Sequence, residues 1–162
     1  MVGHEQQGVW LIGLTFLAAF LLAVIAFPPW LLWARPEWLA LVLIYWTIAL
    51  PHRVGMFTGL IVGVLLDSLE GAVFGQNAFS LMVVALLSLV LYQRLRVFNV
   101  LQQAGTIFIL VGINQLICQW VQNLQGRGSD SLLFLLPAFT SALMWPVVLL
   151  VLRSLRRHYR VS

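Results

Sequence analysis

Polar residues are so sparse along this chain that its elements are marked by interruptions in an apolar background, not by any amphipathic period. An uncharged run over residues 9–27 is long enough to cross a hydrocarbon core about 30 Å thick as a helix. Val24 and Ala26 imitate the small residues of a signal-peptidase site. The run is nevertheless long for a signal segment, and residues 1–8 hold no Lys or Arg, so it is expected to remain as an anchor. Pro28, Pro29 and Pro36 then force an extended loop, with Trp30, Trp33 and Trp38 gathered where indole rings favour the headgroup boundary.

Two shorter apolar runs follow, residues 38–50 and 54–66, separated by Pro51-His52-Arg53. As a helix each extends only about 20 Å, short of the bilayer core. Either they are short spans whose flanking charges reach the interfaces, or they form a re-entrant hairpin buried in protein. Two spans are expected, because a hairpin would leave Arg53 at membrane depth. A polar turn over residues 67–77 precedes runs at 78–92, 104–121 and 132–152, and a basic tail covers 153–162. The expected fold is therefore all-α, a polytopic membrane protein of about six transmembrane helices in one integral membrane domain.

Composition removes the alternatives. Of 162 residues, 62% are hydrophobic and 9% charged, whereas a soluble domain carries about 25% charged residues. Six spans of about 20 residues leave only roughly 40 for every loop and both tails, too few for a separate catalytic or nucleic-acid-binding domain. A net charge of +4 could point to a polyanion, but orientation in the membrane explains it more simply, and no nucleic-acid partner is expected. With an inside N-terminus, Arg53, Arg94, Arg96, Arg153, Arg156, Arg157 and Arg160 fall on the inner side, and only Arg35 and Arg127 outside. That asymmetry predicts a cytoplasmic membrane protein with both termini cytoplasmic. The lone Cys118 allows no intramolecular disulfide and no cysteine-based metal site.

A few polar and small residues stand out. Gly55, Gly59 and Gly63 recur every four residues, a stripe that lets another backbone approach closely, whether a helix of this chain or of a partner. Asp67 and Glu70, followed by Gly71 and Gly75, share a face at the outer end of the third helix if it continues that far. Paired carboxylates suit proton relay or ion binding, and they equally suit a hydrated helix end. Gln115, Gln119 and Gln122 form an amide stripe that must face protein or a wet cavity and not lipid. Arg153, Arg156, Arg157 and Arg160 form one basic face suited to anionic lipids, at about 1 kcal/mol per Arg, or to a cytoplasmic protein. Nucleotide-binding, zinc-hydrolase and serine-hydrolase motifs are absent, and neither enzymatic activity nor a cofactor is expected.

The middle of the chain carries a more specific signal. Arg35-Pro36-Glu37-Trp38, then Tyr45-Trp46 leading to Pro51-His52-Arg53-Val54-Gly55, then Gly59, Gly63, Asp67, Gly71 and Gly75 in that order, strongly resemble the rod shape-determining MreD family of rod-shaped bacteria. The chain departs from the family pattern at Glu70 and Asn77. The resemblance implies a non-enzymatic component of the inner-membrane machinery for lateral peptidoglycan synthesis. It also implies partners: the bitopic scaffold MreC directly, with MreB filaments, RodA and its cognate transpeptidase in the wider complex. The family is similar in fold to the six-helix substrate-binding subunits of energy-coupling-factor transporters. On this basis the glycine face of Gly55, Gly59 and Gly63, with Tyr45 and Trp46, is expected to pack against a partner's transmembrane helix. The rival expectation is a small-solute-binding subunit whose ligand meets the amide stripe.

Overall fold

The computed structural model describes residues 2–24, 37–71, 75–126 and 135–159, the side chains of residues 2–5, 7 and 70 excepted. All the elements in these residues are α-helices: α1 Val2–Val24, α2 Trp38–Ala49, α3 Met56–Glu70, α4 Gln76–Val97, α5 Val100–Leu124 and α6 Leu136–His158. The protein is an all-α, polytopic membrane protein. Helices α4, α5 and α6 are each long and apolar enough to cross a bilayer, while α2 and α3 are shorter apolar helices.

Several helices run past the apolar stretches that predict them, because hydropathy marks only their lipid-compatible parts. Arg94 and Arg96 lie in the last turn of α4 and not in a loop, where a cation complements the negative end of the helix dipole. Helix α5 begins at Val100, four residues before its apolar run, on a reciprocal capping box. There the Gln102 amide N–H donates to Asn99 Oδ1 at 2.9 Å, and the Asn99 N–H donates to Gln102 Oε1 at 3.3 Å. Helix α6 continues through Arg153, Arg156 and Arg157 to His158, so these arginines extend the last helix in place of a separate tail. The starts and ends expected at residues 25–27 and 132–134, and the side chains of Arg35, Arg127, Asp130 and Arg160, lie outside the described residues.

Helix α2 occupies the centre. Its residues from Leu39 to Ala49 are all buried, as befits a helix that is apolar on every side. It packs on α1, α4 and α6, while α3, α4, α5 and α6 follow one another around it and α1 leans back on α3. Buried Leu11, Thr15, Phe16, Ala19 and Ala23 define the inner face of α1, and Val9, Trp10, Leu14, Leu17 and Leu21 its outer one. One hydrogen-bond chain ties α1 to the centre: Trp46 Nε1 donates to Thr15 Oγ1 at 2.8 Å, and that hydroxyl donates to the Ile12 carbonyl at 2.7 Å. Outward-facing apolar side chains elsewhere, such as Phe57, Ile61, Leu65 and Leu69 on α3, are those of a protein dissolved in lipid.

Candidate functional site

The glycine stripe is used inside the chain. A Cβ on Gly63 would collide with the Cα of Ala78 and lie 2.5 Å from the Ala78 nitrogen and the Asn77 carbonyl oxygen. One on Gly59 would lie 2.7 Å from the Leu81 carbonyl oxygen and 3.1 Å from Ala85 Cβ. Absent side chains on α3 therefore let it lie backbone to backbone along α4. This corrects the expectation of a glycine face offered to a partner: α4 already fills it. Tyr45 and Trp46 are withdrawn too, at 5% and 0% exposure, packed edge to face with ring centroids 5.3 Å apart.

At the end of the bundle holding the acids, Asp67 is 2% exposed and closes the α3–α4 turn. Its Oδ2 accepts from the backbone N–H of Gly75 at 3.0 Å and of Ala78 at 3.3 Å, and its Oδ1 from that of Asn77 at 2.9 Å. The carboxylate thus caps the start of the following helix, where orphan N–H groups and the dipole favour a negative charge. Gly71 and Gly75 have φ of +63° and +94°, left-handed conformations that a side chain disfavours. The order Asp67, Gly71, Gly75 is accordingly a helix-turn-helix clip. Asp67 is committed to these amides, while the side chain of Glu70 lies outside the description.

The amide stripe divides. Gln115 Nε2 donates to Glu37 Oε1 at 2.8 Å, and the Glu37 backbone N–H donates to Ser141 Oγ at 2.9 Å, so α5 and α6 together hold the start of α2. Gln119 also has a partner, and Gln122 is half-buried. Cys118, buried on the same helix, places its thiol 3.5 Å from Ser80 Oγ and 3.7 Å from Asn77 Oδ1, joining α5 to α4. Gln115 and Cys118 thus tie α5 to its neighbours.

At the opposite end, residues that the apolar pattern does not single out fix the end of α2. Arg96 donates from Nε to the Ile48 carbonyl at 2.9 Å and from Nη2 to the Ala49 carbonyl at 3.1 Å, and its guanidinium lies 5.1 Å from the Tyr92 ring centroid. Gln103, buried, donates to the Leu95 carbonyl at 2.8 Å and accepts from Trp145 Nε1 at 3.2 Å. The sequence signal for Gln103 was available: the Asn99–Gln102 capping box puts it in the first turn of a helix, not in a loop.

A long apolar opening lies along the bundle between α1 and α6. Helices α1 and α6 each pack on α2 but not closely on each other. Between them runs a groove, seen as two adjoining cavities of about 260 and 440 Å³ that share Thr15, Ala18 and Leu155. Leu14, Ala18 and Leu22 line one wall, Met144, Val151 and Leu155 the other, and Trp38 and Val42 the floor. The Trp38 indole N–H is buried there with no partner among the described residues.

A family model described as rod shape-determining protein MreD matches residues 4–155 of the chain. The rod shape-determining protein MreD of Haemophilus influenzae is 29% identical to it over 146 residues, 90% of each chain. No solved structure matches. A match from the first turn of α1 nearly to the end of α6 takes in every helix of the bundle, and with it the chain belongs to the MreD family of rod shape-determining proteins.

Proposed function

We propose that this protein is a non-enzymatic scaffold of the cell-elongation machinery in the bacterial inner membrane, with both termini cytoplasmic. In this role it holds the single transmembrane helix of MreC in the groove between α1 and α6, and so helps direct lateral peptidoglycan synthesis by the wider complex with MreB, RodA and its transpeptidase. The observation that carries the proposal is the groove itself. Family membership supplies the rod-shape role, and α1 and α6 supply a surface with the form a bitopic partner needs. Between Met144 and Leu155 the α6 wall extends about 17 Å along the helix, some three turns of contact. Small Ala18 at the opening and buried Ala19 beneath it allow close approach. Helices in lipid associate through such close van der Waals contact, because lipid tails give no hydrophobic drive.

The test is to fill the groove. Ala18→Phe with Val151→Phe should abolish co-purification with MreC while the protein still inserts and stays monodisperse. Phe57→Ala with Ile61→Ala, on the outward face of α3, should leave co-purification intact. If the filled groove retains MreC fully, or the α3 pair loses it, the groove is occupied by lipid and the partner binds elsewhere.

A further inference from the structure

Tyr45, Arg96, Gln103, Trp145, Arg153 and Arg156, drawn from four helices, are the polar and aromatic lining of a cavity of about 350 Å³ at the basic end. It is within the size range of small-molecule sites. Three guanidinium groups face one space, and none of its lining residues is acidic. Among the described side chains, the carboxylates of Glu37 and Asp67 are tied at the other end of the bundle. Like charges gathered around one cavity repel, and an anion between them reverses the sign of the interaction.

Part of the wall is already in position. Arg96 is held by the last carbonyls of α2, which leaves further N–H donors on the same planar group. Arg156 and the Tyr45 ring line the same cavity wall. Gln103 is locked between Leu95 and Trp145. Groups whose geometry is fixed before binding lose little freedom when a ligand arrives. Ile48, Ala49 and Leu149 complete the lining with apolar surface. All nine cationic side chains of the chain are Arg and none is Lys, and the guanidinium fork matches two oxygens of a phosphate at once.

We infer that this cavity is a binding site for a phosphoryl group, carried by a membrane lipid headgroup or by a free phosphate compound. The site differs from the diffuse attraction of a basic helix face to an anionic surface: it has a fixed stoichiometry and depends on which arginines are present, not on how many. It is separate from the α1–α6 groove, so its failure would leave the MreC proposal standing.

The experiment uses the full chain in nanodiscs of phosphatidylcholine, with and without added phosphatidic acid, examined by native mass spectrometry for retained lipid. In parallel, thermal unfolding is followed in neutral nanodiscs with inorganic pyrophosphate. A one-to-one phosphatidic acid adduct is the expected result. Arg153→Gln with Arg156→Gln should weaken it at least about tenfold, equivalent to about 1.4 kcal/mol. Arg94→Gln with Arg157→Gln removes the same charge outside the cavity and should leave the adduct unchanged. Tyr45→Phe keeps every charge, removes one hydroxyl from the cavity wall, and should weaken binding to a smaller degree, which keeps the test valid if the double variant misfolds. Stabilisation by pyrophosphate that the Arg153/Arg156 variant loses, without a lipid adduct, would identify a free phosphate compound as the source and also support the site. Equal weakening in both double variants, or no adduct and no stabilisation of the wild type, would overturn it.

Discussion

Replacing Gly63 with alanine adds a single methyl group, and the geometry states where that group must go. It would fall against the backbone of Ala78 and Asn77 in α4, and backbone atoms cannot move aside by changing rotamer. Helices α3 and α4 must therefore separate. At Gly59 the added carbon also meets backbone, 2.7 Å from the Leu81 carbonyl oxygen, whereas at Gly55 it meets only Leu89 Cδ1 at 3.3 Å, the end of a flexible side chain. Two effects compete. Alanine is favoured over glycine inside a helix by about 1 kcal/mol, and overpacking costs about 1–3 kcal/mol, occasionally more. Gly55→Ala should then lie within about 0.5 kcal/mol of wild type, and Gly59→Ala should lose about 1 kcal/mol net. Gly63→Ala should lose about 2 kcal/mol or more, because Ala78, the residue it displaces, is also a hydrogen-bond donor to Asp67. Reversible unfolding in mixed micelles, followed by circular dichroism, gives the three values. If the variants are indistinguishable, or if Gly63→Ala matches wild type, the backbone contact between α3 and α4 is refuted.

Asp67→Ala removes the acceptor of three backbone N–H groups at the start of α4 and should cost at least about 2 kcal/mol; Asp67→Asn, which keeps one oxygen, should cost distinctly less in the same unfolding assay. Arg96→Gln should lose about 1–3 kcal/mol by leaving the Ile48 and Ala49 carbonyls unsatisfied, and Arg96→Lys should recover only part of that, since an ammonium cannot span both oxygens as a fork. Gln115→Leu should destabilise by about 1 kcal/mol through its bond to Glu37, while Gln122→Leu stays near wild type. Equal effects at the two glutamines would mean that the stripe acts as a unit, as a ligand site would.

Local pattern made much of this legible. Runs of apolar residues placed a helix in each position, and within the four-residue glycine spacing Gly59 and Gly63 lie where a backbone comes close, while Gly55 meets only a side chain. Spacing defines the face of a helix but not its neighbour, so the choice between α4 and a foreign helix could not be read from α3 alone. Asp67 shows the same limit. It reads as a carboxylate at the end of its own helix, yet its three bonds reach eight to eleven residues onward to the next one. The Arg96 contacts lie 47 and 48 residues away in the chain and have no local signature at all. The α1–α6 groove is more remote still, being a place where two helices fail to meet.

The shortness of α2 follows from the same long-range contacts. Twelve residues rise about 18 Å, so α2 is shorter than a core of about 30 Å and at least one of its ends stops inside it, where no water is at hand to satisfy a helix terminus. A lipid-facing helix could not stop there. This one can, because it is surrounded by protein and its neighbours supply what water would: Ser141 accepts the Glu37 N–H at one end, and Arg96 covers the Ile48 and Ala49 carbonyls at the other. Ser141 and Arg96, two of the few polar side chains in so apolar a chain, are spent where the backbone of α2 would otherwise be left unsatisfied. Arg153 and Arg156 line one cavity with Arg96 at this end, and it is their gathered positive charge, not the capping, on which the proposed anion site rests.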